Sequence, residues 1–185
     1  MNQAEKQSAG GSSGQDAIAL LTQDHNKVKK LFEEFEKIKA DEDTEDKKLD
    51  LAMEICTELA IHAKLEEEIF YPAAIKAIGQ LDIMDEATVE HAATKDQIEQ
   101  LVLMAPEEEY YDAKVTVLKE MVEHHIKEEE GKMFPMLKQA SIDMAALGQR
   151  LSQRRQELQM DMGMVGASMR KGQPGSEQRQ RGPMP

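Results

Sequence analysis

His62-Ala63-Lys64-Leu65-Glu66-Glu67-Glu68-Ile69-Phe70-Tyr71-Pro72 returns later in the chain as His125-Ile126-Lys127-Glu128-Glu129-Glu130-Gly131-Lys132-Met133-Phe134-Pro135. In both copies a His is followed four residues on by Glu and ten residues on by Pro. On a helix, positions i and i+4 lie on one face, one turn apart. Each copy therefore presents an imidazole and a carboxylate side by side. Two such pairs facing each other have the donors to hold metal.

Around this doubled string the chain reads as helical. Of its 185 residues 32% are charged and 4% aromatic, and Ala, Leu, Met, Glu, Lys and Gln dominate, all good helix formers. Apolar steps of three and four place four helices at about Asp16 to Lys39, Thr44 to Pro72 and beyond, Leu81 to Met104, and Pro106 to Gln139. Asp43 or Thr44 is the expected cap of the second helix, which should kink or end near Pro72. Pro106 and the acids after it suit a helix first turn. Ser141 is the expected cap of a short fifth helix ending near Met160. Residues 1–14 and 161–185 read as disordered tails, leaving a bundle over 15–140 and an added helix over 141–160. The fold class is all-α, an antiparallel up-down four-helix bundle.

The expected core stripes are Ile18, Leu21, His25, Val28, Phe32 and Phe35; Ile55, Leu59, His62, Glu66, Ile69 and Ala73; Met84, Thr88, His91, Thr94, Ile98 and Leu101; and Leu118, Val122, His125, Glu129, Met133 and Met136. Each is apolar except near its middle. A buried carboxylate without a partner loses several kcal/mol of hydration, so four imidazoles and two carboxylates at one level of a core need a shared counter-charge. A pair of cations supplies it. The set exceeds one tetrahedral zinc site and fits two metals bridged by Glu66 and Glu129. Iron leads among the candidates because it binds both ligand types and reacts with oxygen, with manganese and zinc as alternatives. One spacing is uneven: His62 lies far from the Gly79 turn and His91 near it, so residues 73–85 must overhang, kink or partly unwind.

Asp24-His25, the string from His62, Glu90-His91 and the string from His125 together resemble the hemerythrin-like proteins of the HHE cation-binding group, over about Asp16 to Gln139. The resemblance implies a four-helix bundle with a non-haem centre of two iron ions (Fe2+/Fe3+) per chain, oxo- or hydroxo-bridged, ligated by His25, His62, Glu66, His91, His125 and Glu129. It implies dioxygen, peroxide or nitric oxide as ligand, or a part in iron handling. The oxygen-carrying members have a second His one turn beyond the third-helix His, and here that position is Lys95. An extra open position favours reactivity over simple transport. If the protein is an enzyme, it is an oxidoreductase acting on peroxide, oxygen or nitric oxide.

Other residues are weighed beside these. His124 points about 100° away from His125. Glu67 and Glu130 are either a solvated face or partners of the ligands, and Glu90 is placed to orient His91. Tyr71 reads as packing or rim, Cys56 as a small core residue, and Arg150, Arg154 and Arg155 as solvated, with pairing to the acidic bundle as the alternative. The rival folds and functions are a metal-free helical interaction module and a ferritin-like carboxylate protein. The second needs Glu-x-x-His, and the residues three before the histidines (Thr22, Leu59, Thr88, Met121, Val122) are not acidic. A net charge of −13 argues against nucleic acid and anionic membranes as partners. A single cysteine and the lack of an apolar leader or span point to the cytoplasm.

Overall fold

The computed structural model describes residues 15–41 and 44–171, with side chains through Met162. Its helices are α1 (Ala17–Ile38), α2 (Glu45–Leu65), α3 (Tyr71–Ile78), α4 (Asp82–Leu101), α5 (Tyr111–Glu128), α6 (Phe134–Gln139) and α7 (Met144–Lys171). Two five-residue π-helical segments, Glu66–Phe70 and Glu129–Met133, join α2 to α3 and α5 to α6, so each pair makes one continuous rod.

Two apolar clusters show how the rods run. One gathers the start of α1 (Ala17, Ile18, Leu20, Leu21), the end of α2 (Ile61, Leu65), the start of α4 (Met84, Ala87) and α3, α6 and α7. The other gathers the end of α1 (Phe32, Phe35), the start of α2 (Ala52, Ile55, Cys56), Leu101 at the end of α4 and the start of α5 (Tyr111, Val115, Leu118). Successive rods therefore alternate in direction, which makes an all-α, up-down bundle. His25, His62, His91, His125, Glu66 and Glu129 are buried where the two clusters meet.

The π segments move the core stripes by one position. Tyr71 N–H donates to Glu66 O and Phe134 N–H to Glu129 O, a five-residue step in place of four. Buried residues after Glu66 are therefore Phe70, Tyr71 and Ala74, whereas Ile69 and Ala73 of the expected stripe are only half-buried. After Glu129 they are Met133, Phe134 and Leu137, and Met136 is exposed. Pro72 and Pro135 sit at the α-helical restart just after the wider turns, where a missing N–H does not interrupt the rod. The rod neither ends at Pro72 nor unwinds before Gly79. It overhangs as α3, then turns at Gly79, whose φ of 81° is left-handed.

Boundaries differ from expectation in three places. The fourth long helix starts at Tyr111 rather than Pro106: Tyr110, at φ 72°, blocks the helix on its N-terminal side while the Tyr111 ring inserts into the second cluster. Asp143, not Ser141, caps α7, its Oδ1 accepting from Ala146 N–H at 2.9 Å. The α7 helix then continues past Met160 to Lys171. Residues 161–171, expected to begin a disordered tail, are thus helical; the rest of that tail (172–185), the expected tail 1–14 and the alternative cap Asp43 lie outside the described residues. At the second helix the residue before the first turn is Thr44, whose hydroxyl instead donates back to Ile38 O and Asp41 O. Cys56 lies in the core, and burial pushes its thiol up to about 11, away from reactive thiolate chemistry. Among the described residues no helix is long and apolar enough to cross a membrane.

Helix α7 docks on α1, the end of α2 and the π turn that follows it through Leu147, Leu151 and Leu158. Gly148 makes this possible, because a Cβ there would fall 2.2 Å from Gln15 O and 2.9 Å from Ala17 N. Gly148→Ala normally gains helix propensity, but here α7 must shift off the bundle. The expected net effect is destabilisation of about 1–3 kcal/mol, the ordinary cost of overpacking, read as a lowered thermal midpoint. A raised midpoint would show that α7 does not pack this closely.

Candidate metal centre

Four helices each bring one imidazole to the middle of the bundle. His62 lies on the last turn of α2, one turn before Glu66, and His125 repeats this on α5 before Glu129. Every Nε2 points inward. His25 Nε2 is 3.3 Å from Glu129 Oε2 and 3.3 Å from His62 Nε2. His62 Nε2 is 3.2 Å, and His91 Nε2 3.3 Å, from Glu66 Oε2. His91 and His125 bring their Nε2 atoms within 3.3 Å of each other. His125 Nε2 lies 3.6 Å from Glu129 Oε2 and 3.8 Å from Glu66 Oε2.

Two overlapping donor groups result, His25/His62/Glu66/Glu129 and Glu66/His91/His125, with Glu66 in both. All six residues singled out in the sequence are thus brought together. Glu66 Oε1 and Glu129 Oε2 are buried without a hydrogen-bond partner. Buried carboxylates with an unpartnered oxygen, beside imidazole nitrogens crowded to 3.3 Å of one another, are the donor set that divalent cations satisfy. The residues fit a two-metal group.

The outward Nδ1 atoms are held just as regularly. Asp24 faces His62 at 3.4 Å, Glu67 faces His91 at 3.0 Å, Glu90 faces His125 at 2.9 Å, and Glu130 faces His25 at 2.8 Å. An acid neighbouring one ligand in sequence thus supports the imidazole of a different helix. Glu90 serves His125, and not its own neighbour His91. Such carboxylates keep the Nδ1 proton in place, leave Nε2 as the metal-binding atom and raise its basicity. Lys95 reaches Glu67 at 2.6 Å and lies outside the donor set. His124 is 64% exposed and meets Glu90 at 3.5 Å, and Glu128 pairs with Lys132, so neither joins the centre.

Tyr71 and Arg155 were not legible as site residues. The Tyr71 ring is buried, its hydroxyl donating to Glu129 Oε1 at 2.9 Å and lying 3.4 Å from Glu66 Oε2. Tyr71 follows Glu66 by five residues, a spacing that shares a face only on a π turn. Its counterpart in the second copy, Phe134, stacks on His25 with ring centres 5.9 Å apart. Arg155 and Arg154, expected to be solvated, pair with Asp24 and Glu68.

Charges in the metal-free chain follow from this packing. Burial works against a charged His62, but the Glu66 charge and the acceptors Asp24 and Glu66 outweigh it and lift the imidazole to about 10. His125, also disfavoured by burial, is lifted to about 11 by Glu66, Glu90 and Glu129. Burial alone would raise Glu66, yet His62, His125 and His91 hold it well below the usual carboxylate range. Burial and the charges of Glu66 and Glu129 raise the Tyr71 phenol, so it stays a proton donor. At neutral pH His62 and His125 therefore carry protons that a metal must displace. Metal uptake should release protons and tighten as pH rises through neutrality. Titrating metal-free chain with Zn2+ in weak buffer, with a pH indicator, reads this directly; uptake at unchanged pH would contradict it.

Comparison with known proteins agrees with this geometry. Residues 16–137 match the family described as "Hemerythrin HHE cation binding domain". A crystal structure of a hemerythrin HHE cation-binding domain-containing protein from Mycobacterium kansasii superposes with a TM-score of 0.68 at 24% identity, covering 85% of this chain and 94% of that one, which is a likeness of fold. A protein of Nostoc sp. named "DNA nickase" is 28% identical over 130 residues, covering 69% of this chain. The match spans only 36% of that relative's length.

Proposed function

The chain belongs to the hemerythrin HHE cation-binding domain family, and on that premise we propose that it holds two iron ions and binds dioxygen or a ligand of similar size, such as peroxide or nitric oxide. His25 and His62, with Glu129 and Glu66, would hold one ion; His91 and His125, with Glu66, the other. The observation that carries the reading is the inward convergence of four Nε2 atoms on two carboxylates with unpartnered buried oxygens. Imidazole and carboxylate in this proportion suit iron, and because Glu66 is in both donor groups while Glu129 is in one, the two positions are unequal.

Bound iron would supply a redox couple and an open coordination position. The rest is done by the chain. A cavity of about 30 Å3 lies against the histidines, lined mostly by Val28, Leu59, Ala63, Val122 and Ile126, with Asp24, Glu58 and Thr94 also on its wall. That is room for roughly two heavy atoms, the size of a diatomic ligand. Tyr71 belongs to the opposite apolar cluster and keeps a proton on the Glu129 side of the centre. The outer carboxylates hold the four rings in register. The nicking activity is named for a Nostoc relative that this chain matches over only 36% of its length, and it does not enter this reading.

The test is metal content of untagged protein purified in air, followed by optical spectra of the reduced, iron-loaded chain on adding dioxygen, peroxide or nitric oxide. About two irons per chain and a new visible absorption with at least one ligand are expected. No bound metal after anaerobic iron loading would overturn the reading.

A further inference from the structure

The centre repeats about an internal two-fold relation. Asp24, His25 and Lys29 on α1 correspond to Glu90, His91 and Lys95 on α4; His62, Glu66, Glu67 and Tyr71 correspond to His125, Glu129, Glu130 and Phe134. The outer shell follows the same relation: Glu67 meets Lys95 at 2.6 Å and Glu130 meets Lys29 at 4.0 Å, while Asp24 and Glu90 face His62 and His125. The relation breaks at what stands behind Asp24 and Glu90. Among the described residues Glu90 meets no guanidinium; the exposed His124 stands 3.5 Å away, and Lys132 lines the same groove. Asp24 receives both Nη atoms of Arg155, one to each carboxylate oxygen.

We propose that α7, which lies outside the matched family residues, is a working part of the metal centre: Arg155 positions the His62 imidazole through Asp24 and makes the His25/His62 half the more tightly held. The inference rests on the two-metal reading above. A forked guanidinium fixes both oxygens of a carboxylate, which a single ammonium cannot do. Asp24 is then unable to swing away from His62 Nδ1, and the ring keeps its Nε2 on Glu66. The anchor itself is rigid, because Leu151 and Leu158 bracket Arg155 along α7 and both are buried in the apolar cluster. Gly148 sets that helix directly on the backbone of Gln15–Ala17, at the start of the helix that carries Asp24. Glu90, lacking such an anchor, leaves the His91/His125 half freer to exchange its metal.

The experiment uses the full chain loaded with Co2+, comparing wild type, Arg155→Gln, Asp24→Asn, the double variant and His124→Ala. Release to excess chelator is followed by absorbance, and the paramagnetically shifted imidazole N–H signals by proton NMR. In Arg155→Gln half of the cobalt should leave roughly tenfold faster, the lower end for losing an outer partner of a ligand. One N–H signal, that of His62, should move or vanish while the others stay. Asp24→Asn should do the same and the double variant no more, whereas His124→Ala should leave that signal in place. Release accelerated equally for both ions, or unchanged with all N–H signals retained, would make α7 purely structural and overturn the proposal. A wild-type chain that takes up no cobalt would overturn the two-metal reading and this inference together; two cobalts in wild type with unaltered variants would overturn this inference alone.

Discussion

Replacing Glu66 with Ala should leave the chain with almost no bound metal, while Glu129→Ala should retain close to one ion. The difference follows from position. Glu66 belongs to both donor groups, its Oε2 lying 3.2 Å from His62 and 3.3 Å from His91. Glu129 belongs to one group and reaches His125 only at 3.6 Å. Losing a shared ligand should exceed the roughly 10–100-fold loss of affinity that follows from losing an outer partner. Elemental analysis of the purified, iron-loaded variants reads the result. Two irons in Glu66→Ala would show that this carboxylate is no bridge.

Glu66 should matter to the metal-free fold as well. It is a fully buried carboxylate, and its charge helps keep His62 and His125 protonated beside it. Removing one partner of a buried charge cluster leaves the others uncompensated, a loss of about 3–5 kcal/mol. Metal-free Glu66→Leu is therefore expected to melt below metal-free wild type. A midpoint at or above that of wild type would show that the imidazoles simply shed their protons and that the cluster adds nothing to the empty fold.

The sequence carried most of this centre because ligand spacing and core periodicity share one rule, steps of three and four on a helix. His25, His62, His91, His125, Glu66 and Glu129 all obey it and all meet. It stopped short where the rule changes. The π turns after Glu66 and Glu129 shifted burial from Ile69 and Ala73 to Phe70 and Ala74, and from Met136 to Leu137. They also turned Tyr71 inward, five residues from Glu66. The outer shell was hidden for a different reason. A residue adjacent to a ligand is turned about 100° from it and serves the next helix over, so Glu90 finds His125 and Asp24 finds His62. Pairing across helices depends on their order in space. Arg155 needed still more, since its partner is distant in sequence and depends on where α7 lands.

Removing the metal should lower the thermal midpoint by roughly 8–16 °C. The estimate takes free metal at about a thousand times its dissociation constant, worth about 4 kcal/mol for one site, and about 2–4 °C per kcal/mol for a chain of this size. The direction comes from the site itself. Binding ties together α1, α2, α4 and α5, each of which contributes one imidazole, and replaces protons and unpartnered oxygens by coordinate bonds. The metal-free chain keeps its two apolar clusters on either side, so it should remain helical while loosening at the middle. Circular dichroism melts of iron-loaded and chelator-treated wild type measure the shift. Glu66→Ala serves as the reference in which loading should move nothing. An unchanged midpoint in wild type, with metal removal verified, would place any bound metal outside the buried centre and leave six converging donors without a cation to explain them.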